Sequence, residues 1–166
     1  MTPEASRQGG HYFDADPAAA SSPGEVRLDL PDLTLRLAVD RGVFASAAVD
    51  PGTRYLLAEA PPPPERGTIV DVGCGYGPIA LTLARRSPAA RVVAVDVNAR
   101  ARDLCRANAV ASGCANVEVL APDEVADDLC VDELWSNPPI RIGKAALHEL
   151  LTFWLGRLQP GGRAVL

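Results

Sequence analysis

The residues best suited to chemistry form a glycine-rich segment, Asp71-Val-Gly73-Cys-Gly75-Tyr-Gly77-Pro, between an apolar stretch and a helical pattern. Glycine allows tight turns and a close approach of the backbone to a ligand, and the first N–H groups of a following helix attract negative charge. The segment therefore predicts a binding loop for a carboxylate or a phosphate. A glycine-rich turn without a ligand is the alternative, since such a pattern alone is a weak signal.

A second acidic residue favours the binding loop over the empty turn. Asp96 ends the next apolar stretch, about 20 residues after the loop, where a carboxylate can accept hydrogen bonds from both hydroxyls of a ribose. A dinucleotide fingerprint does not fit, because Pro78 interrupts GxGxxG and Asp71 would face a pyrophosphate. The P-loop pattern GxxxxGK[ST] is absent. An acid two residues before GxGxG suits a ligand with an α-amino group beside its carboxylate, as in S-adenosylmethionine.

Strand and helix patterns alternate around these residues and predict a parallel sheet. Strands are expected at 68–72, 91–96, 117–120 and 131–136, with a further strand beginning at 163, and helices at 78–86, 99–112 and 143–158. The stripe of the last helix is expected in the core: Leu147, Leu150, Leu151, Trp154, Leu155 and Leu158.

The residues before this alternation form a separate predicted unit. Alternating apolar residues over 25–38 predict a β-hairpin with one buried face, and a short helix over 53–60 ends at four prolines. We therefore divide the chain into a lead, hairpin and short helix at 1–64 and a core at 65–166.

The composition limits the classes of protein to which the chain can belong. The 166 residues suffice for one domain, and the 48% hydrophobic and 22% charged residues are typical of a globular protein. Sixteen basic against 21 acidic residues give a net charge of −5, which argues against binding nucleic acid by charge alone. The four cysteines form no CxxC pair, and neither a signal peptide nor a membrane span is apparent. We expect a cytoplasmic protein with reduced thiols, no metal and no membrane association.

Two further residues are assigned structural roles. Asn108 falls on the apolar stripe of its helix, so we expect a buried amide that bonds the backbone rather than a substrate contact. Cys74 lies inside the glycine loop without a base partner, so we expect a small filler rather than a nucleophile.

The segments DVGCGYGPIA, VVAVDVN and SNPPIRIGK together resemble class I S-adenosylmethionine-dependent methyltransferases. Within that class the chain is similar to the small methyltransferase domain of bacterial ribosomal RNA guanine-N2 methyltransferases. HYFDADP, RGVF with DPGT, and HELLTFWLGRLQPGGRA extend the likeness over nearly the whole chain. The resemblance implies a Rossmann-like α/β fold, with a mostly parallel sheet preceded by the hairpin, and S-adenosylmethionine as cofactor.

The resemblance also implies cofactor-binding roles. Asp71, Gly73, Gly75 and Gly77 would line the methionine end, and Asp96 would hold the ribose. Asp123 matches the position whose carboxylate receives the adenine amino group, although a solvated acidic run is an equal alternative.

Asn137-Pro138-Pro139-Ile140 matches the NPP-aromatic motif of methyltransferases that modify planar nitrogens. A guanine amino group is a weak nucleophile because its lone pair is delocalised into the ring. The Asn137 oxygen and the Pro138 carbonyl can accept its two protons, and the cofactor set also includes Asn137. The four residues of the motif form the expected catalytic set.

Ile140 stands where the family has an aromatic residue that stacks on a flipped base. Phe44, Tyr12 and Phe13 are candidates for that stacking, with burial under the hairpin as the alternative. Arg141 and Lys144 follow the motif and could hold RNA phosphate, or be surface charges without a role.

These features predict an N-methyltransferase that acts on N2 of a guanine in ribosomal RNA. The alternatives are a protein or small-molecule N-methyltransferase, and a cofactor-binding module without catalysis. Such enzymes are expected to have seven strands, whereas this chain stops four residues into the fifth when strands are counted from residue 68. We therefore expect strands six and seven to be missing, the core to be truncated in strand five, and the exposed edge to allow self-association.

Overall fold

The computed structural model describes residues 21–41, 43, 48–138 and 142–166. Seven strands and four helices follow one another along this part of the chain. In order they are β1 (Gly24–Asp29), β2 (Thr34–Val39), α1 (Pro51–Glu59), β3 (Arg66–Val72), α2 (Pro78–Arg86), β4 (Ala89–Val95), α3 (Ala99–Ala111), β5 (Val117–Leu120), β6 (Val131–Trp135), α4 (Lys144–Leu155) and β7 (Leu158–Val165). A 3₁₀ turn, Pro122–Glu124, follows β5.

The five later strands form one sheet in the order β5-β4-β3-β6-β7, and each neighbouring pair is parallel. The valine-rich sequences of β3 and β4 suit this arrangement, because strands covered on both faces need apolar residues at successive positions. The chain has a Rossmann-like α/β fold, and its sheet has β3 at the centre.

The expectation that strands six and seven are missing is wrong. The last two of seven strands, β6 and β7, lie in the parallel sheet, where Glu133–Trp135 pairs with Arg163–Val165. The count from residue 68 omitted the two hairpin strands. It also treated Pro160-Gly161-Gly162 as a turn before a new strand, whereas these residues form an irregularity inside β7, with Gly161 at a φ of 84°.

The hairpin forms as its alternating pattern predicts. β1 and β2 are antiparallel, with Val26 opposite Leu37 and Leu28 opposite Leu35. These four side chains are buried, while their strand neighbours face outward. They belong to the same hydrophobic cluster as residues of α1, α2 and α3, so the hairpin covers one face of the core.

Successive strand residues point to opposite faces of the sheet, and each face has its own cluster. Ile69 packs on the side of the hairpin, α2 and α3, whereas Val70 and Val72 pack on the side of Trp154 from α4. The predicted core stripe of α4 is only partly correct. Trp154 is buried, most of the stripe is half-buried, and Leu155 is 40% exposed.

No helix within the described ranges is long and apolar enough to cross a lipid bilayer.

Candidate functional site

The candidate site lies at the carboxyl ends of β3 and β6. These strands are neighbours, with Asp71 opposite Trp135, so the glycine loop and the Asn137 segment leave the sheet side by side. The Ser136 hydroxyl donates to the Val72 carbonyl at 2.7 Å and joins the two ends. Strand order reverses at β3, because β4 lies on one side and β6 on the other. Ligands of open α/β sheets bind in the crevice at such a point.

The glycine loop has an open side that can approach a ligand. Gly73 and Gly75 have φ angles of 76° and 56°, and a Cβ added at either position would meet no atom within 4 Å. The N–H groups of Gly73 and Cys74 both donate to the Val95 carbonyl, at 2.8 and 3.0 Å, which fixes the loop against β4. Backbone conformation therefore explains these two glycines, and the space beside them is available.

Gly77 has a different surrounding. It is the N-cap of α2, with a φ of 99°, and an added Cβ would lie 2.5 Å from Leu81 Cδ1 and 2.9 Å from Cys105 Sγ. Close packing between α2 and α3 thus explains the glycine at this position. Its predicted contact with a cofactor stays a prediction.

Asp71 is buried beneath the loop, and one of its two carboxyl oxygens caps a helix. Its Oδ2 accepts from the Ala80 N–H at 2.9 Å and so caps α2, whose own N-cap glycine has no side chain. Its Oδ1 is buried with no hydrogen-bond partner among the described residues. Burial, with a further contribution from the negative charge of Asp96, raises the pKa of Asp71 to about 8 against the opposing Ala80 bond.

Asp96 connects the end of β4 to the glycine loop. Its Oδ2 accepts from the Gly75 N–H at 2.8 Å, and its Oδ1 accepts from the Asn98 N–H at 2.9 Å. Burial raises the pKa of Asp96, while these two bonds oppose the rise. A carboxylate has about four lone-pair sites, so Asp96 can accept a further hydrogen bond from a hydroxyl group.

Asp123 lies in the 3₁₀ turn after β5 and is exposed. Because β5 is next to β4 and parallel to it, Asp123 is on the same edge of the sheet as Asp96. The structure thus brings the predicted adenine and ribose carboxylates to one edge, and their contacts with a cofactor stay predictions.

Asn137 is held by two residues from the start of α1. Its Nδ2 donates to Asp50 Oδ2 at 2.8 Å and to Thr53 Oγ1 at 2.9 Å. Asp50 is the N-cap of α1, and the same Oδ2 accepts from the Thr53 N–H at 3.0 Å. The sequence prediction missed both partners. Asp50-Pro51 is a recognisable helix start, but nothing local relates it to a residue 87 positions later.

The remaining predicted substrate residues are only partly described. Pro138 is half-buried beside Asn137, and Lys144 is exposed at the first turn of α4. Pro139, Ile140, Arg141 and Phe44, together with Tyr12 and Phe13, lie outside the described residues.

The predicted structural role of Asn108 is confirmed. Its side-chain oxygen accepts from the Ala38 N–H at 2.8 Å, and its nitrogen donates to the carbonyls of Ala38 and Tyr76 at 2.9 and 2.8 Å. One buried amide therefore joins β2 to the glycine loop, a connection that the sequence did not indicate.

Cys74 is buried, in agreement with a filler role. A hydrogen bond with Cys105, together with burial, raises the pKa of Cys74 well above its ordinary value. The thiol stays protonated at neutral pH and is a poor nucleophile. The described residues also hold no group of three or more His, Cys, Asp or Glu side chains that could bind a metal ion.

The sequence profile of the methyltransferase small domain family matches residues 34–166. The chain belongs to this family. It is 35% identical over 155 residues to the uncharacterized protein YbxB of Bacillus subtilis, covering 92% of this chain and 77% of that protein. It is 32% identical over 141 residues to Ribosomal RNA small subunit methyltransferase C of Shewanella amazonensis, covering 82% of this chain and 40% of that enzyme. This methyltransferase domain thus spans about two fifths of the second relative's length.

A solved structure shares the fold of the methyltransferase domain. The Thermus thermophilus 16S rRNA N2 G1207 methyltransferase RsmC, in complex with AdoMet and guanosine, superposes with a TM-score of 0.70 at 24% identity. The match covers 88% of this chain and 42% of RsmC.

Proposed function

We propose that this domain is an S-adenosylmethionine-dependent N-methyltransferase that modifies the exocyclic N2 of a guanine in ribosomal RNA. The observation that carries the proposal is the placement of Asn137 beside the glycine loop. Its amide nitrogen is hydrogen-bonded within the protein, and its amide oxygen is left to accept a hydrogen bond from the amine that is methylated. The names of the small subunit methyltransferase C relatives and of the RsmC structure support the ribosomal RNA and N2 assignments.

The residues present fit S-adenosylmethionine. The unpartnered Oδ1 of Asp71 suits the positive α-amino group, and the open side of Gly73 and Gly75 leaves room for the methionine end. Asp96 would accept from the ribose hydroxyls and Asp123 from the adenine amino group. When bound, S-adenosylmethionine supplies a methyl group activated by the positive charge of its sulfonium.

The protein's part in the reaction is chiefly orientation. Asn137 Oδ1 and the Pro138 carbonyl would accept hydrogen bonds from the two N–H groups of the amine and so direct its lone pair at the methyl group. Holding the two reactants in line lowers the entropic barrier without a strong base, and the proton can leave after methyl transfer. The target guanine must be extruded from its helix or already unpaired to reach this site.

The RNA contacts belong to the same proposal. Lys144 and Arg141 would bind phosphate beside the base pocket, and Phe44 would supply the stacking that Ile140 cannot. A cytoplasmic location and self-association through the outer edge of β7 stay predictions. A protein or small-molecule N-methyltransferase and a non-catalytic cofactor-binding module are the two alternatives.

Two measurements separate these possibilities. Calorimetry with S-adenosylmethionine tests cofactor binding, and transfer of a tritiated methyl group is then compared between ribosomal RNA and protein extract. We expect label in the RNA. Label in protein would support the other enzyme class, and binding without transfer to any acceptor would support the module.

Asn137→Ala is expected to abolish transfer with cofactor affinity largely intact, and equal loss of both would contradict the orientation role.

A further inference from the structure

The Asn137 side chain is bonded at one end only. Both hydrogen bonds between this carboxamide and described residues use the nitrogen, which donates to Asp50 Oδ2 and Thr53 Oγ1. No described residue donates to its Oδ1. Thr53 is buried and Asp50 half-buried, so these bonds are largely shielded from water.

The charge of Asp50 determines which way the carboxamide faces. A carboxylate has no proton to donate, so only the nitrogen of Asn137 can face it, and a flipped amide would place two acceptors against each other. In the flipped orientation Asn137 would also present its N–H groups to the N–H groups of the amine that is methylated, so that two hydrogen-bond donors would face each other. Asp50 therefore selects the one orientation that is useful for methyl transfer to an amine, and the Thr53 hydroxyl holds the amide in it by accepting a second hydrogen bond from the nitrogen.

The same α1 start lies close to the glycine loop. Tyr76 belongs to that loop and is buried, and burial followed by the negative charge of Asp50 raises its pKa to about 12. The Gly52 backbone lies close to Asn137, since a Cβ added at Gly52 would be 3.5 Å from Asn137 Nδ2 and 2.9 Å from Asp50 Oδ2. The start of α1 thus lies against Asn137, and Asp50 is near enough to Tyr76 for its charge to affect that pKa.

We propose that Asp50 and Thr53 are positioning residues for methyl transfer, which hold the Asn137 carboxamide with its oxygen available to the acceptor nitrogen. This inference rests on the proposed function, in which Asn137 Oδ1 accepts a hydrogen bond from the amino group that is to be methylated. Neither residue needs to touch the substrate, because both act through Asn137.

Thr53→Val and Thr53→Ser form a matched pair for the test. Valine keeps the shape of the side chain and removes the hydroxyl that accepts from Asn137, whereas serine keeps the hydroxyl and loses a methyl group. Asp50→Ser is a third variant, because serine still caps a helix but is too short to replace the carboxylate at Asn137. Glu59→Gln, exposed at the end of α1, serves as the control.

Single-turnover methyl transfer should fall about 10- to 100-fold in Thr53→Val and Asp50→Ser, because misplacing a reacting group costs rate. Cofactor Kd and the thermal midpoint should change little, and Thr53→Ser should recover part of the lost rate. Wild-type rates in Thr53→Val, or equal losses in Thr53→Val and Thr53→Ser, would overturn the inference.

A second readout does not depend on activity. In the intact protein both Nδ2 protons of Asn137 are hydrogen-bonded, so nuclear magnetic resonance should show slow solvent exchange that becomes faster in Thr53→Val. Unchanged exchange would overturn the inference. If the wild-type protein methylates no RNA, the proposed function fails, whereas an active wild type with a fully active Thr53→Val contradicts only the positioning role.

Discussion

Burial sets the protonation of Asp71, which lies beneath the glycine loop and is the residue proposed to face the α-amino group of the cofactor. The side chain is fully buried, one oxygen caps α2, and the other has no partner among the described residues. Its pKa of about 8 means that the carboxyl is largely protonated at neutral pH in the free protein. A cation placed beside Oδ1 would favour the ionised form and lower the pKa.

S-Adenosylmethionine affinity should therefore increase with pH. The positive α-amino group favours the Asp71 carboxylate, so binding below about pH 8 releases a proton and becomes stronger as pH rises from about 6 to 8. Calorimetry at several pH values, in two buffers of different ionisation enthalpy, measures both the affinity and the proton release. Asp71→Asn should remove the pH dependence, and an equal dependence in this variant would contradict the role assigned to Asp71.

Single residues could be predicted where their function depends on local sequence. The positions of Asp71, Gly73, Gly75 and Asp96 follow from the loop and strand patterns, and the structure brings them to one edge of the sheet. The contacts of Asn137 with Asp50 and Thr53 could not be predicted, because they join residues far apart in sequence that meet only after folding.

At the level of elements, Asn108 of α3 connects the hairpin to the site. Its three hydrogen bonds pair both backbone groups of Ala38 in β2 and the carbonyl of Tyr76 in the glycine loop. All three bonds lie in a partly or fully buried environment, where an unpaired polar group is costly. The hairpin thus helps to hold the glycine loop in its observed conformation.

Asn108→Ala should lower the free energy of unfolding by at least about 2 kcal/mol, because it leaves three backbone groups without partners. Urea denaturation monitored by circular dichroism measures this loss. Asp103→Ala, on the exposed side of the same helix, changes only a surface ion pair with Arg106 and should cost less than about 0.5 kcal/mol. Equal losses in the two variants would show that the amide does not hold the hairpin.

The hairpin and the alternating core elements could be predicted because periodicity is a local property of the chain. The full extent of β7 could not be predicted, because Pro160-Gly161-Gly162 is typical of a turn. Pairing with β6 keeps the chain extended on both sides of this irregularity. The exposure of Leu155 was also not predictable from helical spacing. Burial of that position depends on what else covers this face of the sheet, which lies beyond the local pattern.

At the level of the whole molecule, net charge limits how RNA can be bound. A charge of −5 gives no general attraction for a polyanion, so the proposed RNA contacts must be few and local. Arg141 and Lys144, next to the Asn137 segment, are the basic residues proposed for that role.

RNA affinity should therefore depend only weakly on salt. Two phosphate contacts predict a slope of about −1 to −2 in a plot of log affinity against log salt, measured by fluorescence anisotropy. Arg141→Ala with Lys144→Ala should bring the slope close to zero. Arg91 of β4 forms an exposed ion pair with Glu118 of β5, and Arg91→Ala should leave the slope unchanged. A slope steeper than about −5 would indicate an extended basic surface and contradict binding through two local contacts.

Methyl transfer to N2 of guanine is tested by identifying the methylated nucleoside. Ribosomal RNA is incubated with the protein and S-adenosylmethionine carrying a deuterated methyl group, digested to nucleosides, and analysed by chromatography with mass spectrometry. We expect label in N2-methylguanosine with the wild-type protein and none with Asn137→Ala. Label in another nucleoside, or unlabelled RNA from a protein that binds the cofactor, would contradict it.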